Sequence, residues 1–277
     1  MRAFAKRIAN QALGAAGYEI RKLQPSPIDG TGKPPQVDYQ QLSASTAANL
    51  GLIDLDSAFL PIMESVKPYT MTSVERMYAL YKSVEYLVKA RVLGDMLECG
   101  VWRGGSMMLV AKTLLSLGDT GRTLHLFDTF EGHPKPDNEN DIDLYGNPVA
   151  DSALNRTSDE GSDWCFVPID EVRANMASTG YPMNKVVLVK GTVEKTAKAN
   201  APELLSLIRL DTDWYASAKV ALETFWPRLS RKGVLIVDDY GHYPSQRRVV
   251  DEYFAQSPVM LHRVDYSCRT VIKADNS

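Results

Sequence analysis

Two carboxylate runs carry the clearest chemistry in the sequence: Leu210-Asp211-Thr-Asp213-Trp-Tyr215 and Val237-Asp238-Asp239-Tyr-Gly-His242. Each follows a short apolar stretch that reads as a strand, and the interval between them suits one strand-helix-strand unit. Parallel strands joined in this way lie side by side or nearly so. Their C-terminal ends then share the edge at which open α/β sheets bind ligands. Four carboxylates gathered there repel one another, and a bound cation is one remedy. An all-oxygen donor set suits Mg²⁺ or Ca²⁺ rather than zinc, and Mg²⁺ keeps positions open for substrate oxygens. The plainer alternative is helix capping by solvated acids.

Further upstream, Glu98-Cys-Gly100-Val101-Trp102-Arg103-Gly104-Gly-Ser106 joins a strand to a helix. Its glycines let the backbone approach a ligand closely, and the helix N-terminus offers free amides. The spacing differs from the G-x-G-x-x-G of pyrophosphate binders. An acid before such a turn suits a cationic, aminated ligand, whose ammonium Glu98 can hold. Asp128 closes the next strand, in Leu126-Phe-Asp-Thr129-Phe130-Glu-Gly132, where an acid typically accepts hydrogen bonds from ribose hydroxyls. Capping of the next segment is its plainer role. Glu98 and Asp128 on neighbouring strand ends together point to a nucleoside.

His242 is a candidate for proton transfer near neutral pH, with a surface-loop role as the alternative. His125 reads as a packed strand residue, His133 as part of a polar loop and His262 as structural. Cys99 reads as a small buried residue, since no His or Asn is placed to activate it. Tyr69-Thr70-Met71-Thr-Ser73 precedes a helix and either covers a ligand with Met71 or staples that helix.

The elements that must position these residues alternate between helix and strand from about residue 72. Thr72-Ser-Val-Glu75 resembles a capping box for a helix through Met77, Leu80, Tyr81, Val84 and Leu87. Strands are expected at 94–98, 124–128, 186–189, 208–211 and 233–238, with late strands at 259–264 and 270–273. Helices are expected at 106–117, 215–229 and 244–256. Alternation of this kind implies a mostly parallel α/β sheet, and near-continuous apolar strands imply cover on both faces. The polar segment 131–184 fits worst. It reads as a lid or a plain insertion, with a short helix near 171–176.

The N-terminal stretch of residues 1–23 is basic, with Phe4, Ile8, Ala12, Leu13 and Ala16 at helical spacing. It lacks an apolar core of secretory length and reads as an amphipathic packing or dimer helix, or as a membrane-surface helix. A Pro- and Gly-rich linker follows at 25–35. The expected organisation is an N-terminal helical extension over residues 1–60 and one catalytic domain over 61–277. No window approaches a membrane span. The three cysteines, Cys99, Cys165 and Cys268, are widely spaced and fit neither a disulfide framework nor a zinc site, which suggests the reducing cytoplasm. Acids number 34 against 31 bases, a net charge of −3 with no basic footprint for nucleic acid. Hydrophobic residues at 44% exclude a wholly disordered chain.

Five segments in order, Tyr69-Thr-Met-Thr-Ser-Val-Glu-Arg-Met-Tyr-Ala-Leu80, Glu98 to Met107, Phe127-Asp-Thr-Phe-Glu-Gly132, Leu210 to Tyr215 and Val237-Asp-Asp-Tyr-Gly241, resemble the macrocin O-methyltransferase (TylF-like) family. The resemblance covers roughly residues 60–275. It implies a Rossmann-like class I methyltransferase fold, a doubly wound, mostly parallel sheet with a C-terminal antiparallel strand. It also implies S-adenosylmethionine and Mg²⁺ as cofactors and a sugar hydroxyl, on a natural product or bacterial glycan, as acceptor. Thr70 and Met71 would lie along the cofactor. Glu98 and the turn Gly100, Val101, Trp102, Arg103, Gly104 and Ser106 would hold its methionine part. Asp128, Thr129 and Phe130 would take the ribose, and Gly191, Thr192 and Val193 the adenine. Asp211, Asp238 and Asp239 would bind Mg²⁺, Asp211 also bordering the cofactor, and Asp213 would be the general base, with His242 a second catalytic candidate. Thr192 and Val193 stand where the family carries an aromatic pair. Thr212 and Ala216 replace Gly and Glu of its D-G-D-x-Y-E run. A catechol-like diol as acceptor, or a non-catalytic nucleoside-binding protein, are the alternatives.

Overall fold

The computed structural model describes residues 55–274 except 138, 144, 150–155 and 159–160. The expected N-terminal amphipathic helix, the linker and any dimer contact through them lie outside the described residues.

The chain enters through α1 (Phe59–Val66) and α2 (Val74–Lys89). Phe59 packs on Tyr78 and Tyr81 at ring distances of 5.1 and 5.3 Å. The cap of α2 is Ser73 rather than Thr72: Ser73 Oγ accepts from the Arg76 amide. Thr72 instead shares a hydrogen bond with the Thr70 hydroxyl, so the helix starts one residue later than the capping-box spacing predicts.

Strands and helices then alternate: β1 (Asp95–Cys99), α3 (Gly105–Ser116), β2 (Leu124–Asp128), a small hairpin of β3 (Arg156–Ser158) and β4 (Gly161–Ser162), α4 (Ile169–Ser178), β5 (Val186–Lys190), α5 (Val193–Asn200), β6 (Leu205–Leu210), α6 (Tyr215–Phe225), β7 (Leu229–Val237), α7 (Pro244–Phe254), β8 (His262–Arg263) and β9 (Arg269–Ile272). The main sheet runs β5-β2-β1-β6-β7-β9-β8. Its first five strands are parallel; β9 is antiparallel to β7, and β8 to β9. This is the doubly wound class I methyltransferase arrangement. The expected strand at 259–264 contracts to two exposed residues at the edge of the sheet, paired among the described residues with β9 alone.

Burial explains the strand composition. All six residues of β6 are buried, and Met96, Leu97 and Cys99 of β1 are fully so. Central strands covered on both faces lose the polar-apolar alternation of a half-exposed strand. Strand order reverses between β1 and β6, whose C-terminal ends open onto one crevice, the switch point of this topology. Register places Glu98 opposite Arg209, Cys99 opposite Leu210, and Leu210 opposite Val237. The acids of β1 and of the β6 and β7 ends are therefore neighbours.

Candidate active site

A cavity of about 320 Å³ opens at this edge, within the range of small-molecule sites. Its walls include Thr70, Glu98, Asp128, Asp211, Asp213 and Asp239. Met71, 66% exposed, sits at its mouth, and Gly191, Thr192 and Val193 lie along one side.

The glycine turn is folded by necessity. Gly100 has φ +79°, and a Cβ there would lie 1.8 Å from the Asp211 carbonyl oxygen. Only glycine lets the β1 and β6 ends approach so closely. Asp128 anchors the turn: its Oδ2 accepts the Val101 and Trp102 amides at 2.7 and 3.2 Å, and its Oδ1 accepts the Phe130 amide at 2.7 Å. Its carboxylate thus serves the backbone, as in the capping alternative, while it also lines the cavity. Gly100, Val101, Trp102 and Ser106 reach the wall. Arg103, Gly104 and Phe130 stand off it. Arg103 turns outward to Glu171 at 2.8 Å, Gly104 forms the left-handed entry to α3, and Phe130 is buried in the loop.

Glu98 is 1% exposed and pairs through Oε1 with Arg209, while its buried Oε2 has no partner among the described residues. Burial, opposed by the Arg209 guanidinium, pushes its carboxyl up to about 8. An unpartnered buried carboxylate oxygen facing a cavity is costly unless a ligand donor fills it.

Across the cavity, one carboxylate oxygen from each of Asp211, Asp213 and Asp239 falls within 4.8 Å of the others. Burial raises all three, Asp213 to about 7, with neighbouring carboxylates adding to the push. Asp213 has φ +59°, a left-handed conformation that costs a non-glycine residue about 1–3 kcal/mol. It turns the side chain toward Asp239. Asp238, expected among the metal ligands, stands outside this trio. Its Oδ2 pairs with Arg76 at 2.5 Å, and its Oδ1 lies 2.6 Å from Arg209 Nη2. Both its oxygens face guanidinium groups.

His133 joins the site although its sequence context marks only a polar loop. Its Nε2 lies 3.2 Å from Asp213 Oδ2, and its ring packs 4.4 Å from Trp164 and 5.3 Å from Trp214. Burial lowers it to about 4, so the ring is neutral at pH 7. The polar loop brings it there because Trp214 Nε1 donates to the Pro134 carbonyl and Asp141 accepts the Tyr215 amide at 2.7 Å. His242 lies on the wall with Nδ1 3.2 Å from the Tyr266 hydroxyl; burial and Arg76 lower its pKa. Arg76 and Arg209 also escape a reading of the sequence alone. An arginine inside an apolar strand is the available signal for Arg209, since buried charges are almost always paired. His125 packs against Asp95 at 3.1 Å, and Cys99 is buried, as their sequence context implies.

The model of the macrocin-O-methyltransferase (TylF) family matches residues 63–271. The chain belongs to this family. It is 36% identical over 175 residues to the 8-demethyl-8-(2,3-dimethoxy-alpha-L-rhamnosyl)-tetracenomycin-C 4'-O-methyltransferase of Streptomyces olivaceus, the match covering 62% of each chain. It spans under two thirds of that relative's length. It is 31% identical to the mycinamicin III 3''-O-methyltransferase of Micromonospora griseorubida over 67% of this chain and 70% of that one. Among solved structures, the O-methyltransferase NovP superposes with a TM-score of 0.64 at 28% identity, covering 74% of this chain and 82% of that one. The calicheamicin methyltransferase CalS11 gives 0.57 at 16% identity, covering 84% and 95%, a likeness of fold. Among the described residues no helix is long and apolar enough to cross a membrane.

Proposed function

We propose that the chain transfers a methyl group from S-adenosylmethionine to a hydroxyl of a sugar on a natural product or bacterial glycan, in a Mg²⁺-dependent reaction. The observation that carries this reading is one cavity with two unmet demands: the unpartnered, buried Oε2 of Glu98 and the mutually repelling carboxylate trio. The first suits the ammonium of the methyl donor, with its ribose toward Asp128 and Thr129 and its adenine toward Gly191, Thr192 and Val193. The second suits a hard divalent cation, because all its donors are oxygen.

Asp211 and Asp239 would hold the metal, with Asp213 at the third corner. Mg²⁺ held there would supply Lewis-acid chemistry that lowers the pKa of an acceptor hydroxyl. The chain's own residues do the rest. Asp213 takes the hydroxyl proton as the oxygen attacks the methyl group, and S-adenosylhomocysteine leaves. His133, neutral and held between two indoles, keeps the Asp213 carboxylate aimed into the cavity. Asp238 balances the two arginines. His133, Trp164, Trp214 and Tyr243 form an aromatic wall beside the trio that excludes water and suits the apolar face of a sugar ring. The rhamnosyl group in the name of the Streptomyces olivaceus relative supports a sugar acceptor.

Calorimetry with S-adenosylmethionine, followed by turnover of pathway sugars with a labelled methyl donor in the presence of Mg²⁺ or EDTA, tests the reading. Cofactor binding and EDTA-sensitive methyl transfer are expected. Absence of cofactor binding at high micromolar concentration defeats it.

A further inference from the structure

Arg209 reaches both halves of the cavity. Its Nη1 contacts Glu98 Oε1 and, at 2.7 Å, Asp211 Oδ2, while Nη2 lies 2.6 Å from Asp238 Oδ1. The side chain is 3% exposed. Register sets it opposite Glu98 of β1, and β7, which leads into Asp238, runs along its other side. Burying a guanidinium among carboxylates from three strand ends is expensive, and swapping such pairs for apolar residues is often neutral or stabilising. The planar fork of an arginine can serve several carboxylates at fixed angles, which a lysine ammonium cannot.

We propose that Arg209 is a positioning residue that couples the two ligand sites, because one guanidinium nitrogen is shared between the Glu98 and Asp211 carboxylates. The proposal rests on the function proposed above, in which Glu98 receives the ammonium of the methyl donor and Asp211 the divalent cation. Its sign follows from charge sharing. Glu98 receives the ammonium in its ionised form, so Nη1 leans more on Glu98 and less on Asp211. Asp211 then offers more negative charge to a cation. By linkage, a cation on Asp211 strengthens the aminated ligand by the same factor. An Arg209 that merely stitched three strands together would leave the two ligands independent.

The full-length chain tests this with S-adenosylhomocysteine as the unreactive ligand and Mn²⁺ as the spectroscopic cation. Mn²⁺ affinity is read by electron paramagnetic resonance with and without saturating S-adenosylhomocysteine, and the reverse titration by calorimetry. Each ligand is expected to strengthen the other about five-fold or more, the lower end of common coupling strengths. In Arg209→Lys the factor should fall below about two. Equal Mn²⁺ affinity with and without S-adenosylhomocysteine in the unmodified protein overturns the proposal. So does an unchanged factor in Arg209→Lys, which assigns the effect to a route that bypasses Arg209. If Arg209→Lys does not fold, Glu98→Gln removes the carboxyl that ionises against Nη1 and must abolish the factor. Failure of both ligands to bind the unmodified protein defeats the proposed function itself, whereas both binding independently defeats only the coupling.

Discussion

Replacing Glu98 by glutamine gives the sharpest reading of the cofactor half of the site. With its carboxyl pushed up to about 8 by burial, the ligand-free group is about nine-tenths protonated at pH 7. Receiving an ammonium on Oε2 requires the ionised form, so binding releases close to one proton. Affinity for S-adenosylhomocysteine should then rise about tenfold per pH unit between roughly pH 6 and 7.5. Above that Glu98 is ionised before the ligand arrives and the curve flattens. The Glu98→Gln change keeps the shape and removes the charge. A charge-assisted hydrogen bond worth about 1.5–3 kcal/mol is lost, weakening binding about 10- to 150-fold at pH 7.5, and the pH slope disappears. Stability of the unliganded protein runs the other way. The folded state binds more protons than the unfolded chain between 4.5 and about 8, so the contribution of this group is complete below 4.5 and is lost as pH rises through about 8. Calorimetry in two buffers of different ionisation enthalpy counts the released proton directly. A flat affinity from pH 6 to 7.5 in the unmodified protein, or a Glu98→Gln variant that keeps the slope, refutes this reasoning.

Asp213→Asn should lower kcat by about 10²- to 10⁴-fold, the usual worth of a positioned base, while S-adenosylhomocysteine affinity stays within about two-fold by calorimetry. Asp239→Asn removes one corner of the carboxylate trio and should weaken Mn²⁺ binding by about tenfold or more, a loss on the scale of one charge-assisted contact; paramagnetic titration reads it. Gly100→Ala must relieve the 1.8 Å approach to the Asp211 carbonyl oxygen, at roughly 2–4 kcal/mol, seen as a lower Tm. Asp141→Ala should cost about 0.5–2 kcal/mol as a lost cap of α6, and raise KM for the acceptor more than it lowers kcat, because the loop carrying His133 loses its anchor.

The fold is legible in the sequence wherever a strand is central. The pattern places Leu124–Asp128 residue for residue, and the β6 and β7 ends within one. Runs buried on both faces carry a strong apolar signal, and turn chemistry brackets them. The ends of α2, α6 and α7 are less legible. Ser73 and Thr72 are both good caps, and the choice falls to Ser73 because its hydroxyl also reaches Asp265 at 2.9 Å, far away in sequence. The carboxylates of the site are legible because one acid at a strand end is ordinary, whereas Asp211-Thr-Asp213 and Asp238-Asp239 together are not. Their division of labour is not. That Asp238 belongs to Arg76 and Arg209 depends on a helix N-terminus and a neighbouring strand arriving at the same point. His133 is invisible for a similar reason: its loop has no periodicity, and only the docking of Pro134 and Asp141 on the start of α6 brings it to Asp213.

The order of the sheet has a kinetic consequence. Glu98 and Asp211 become neighbours only when β1 pairs with β6, two parallel strands separated in sequence by β2, β5 and the helices between them. Pairings across so much chain are closed late and slowly, since the entropy of the intervening loop is spent before any contact rewards it. The two halves of the cavity therefore face each other only in the nearly complete fold. Ligands that fill both halves would act as a latch across β1 and β6 on the finished molecule, slowing its unfolding.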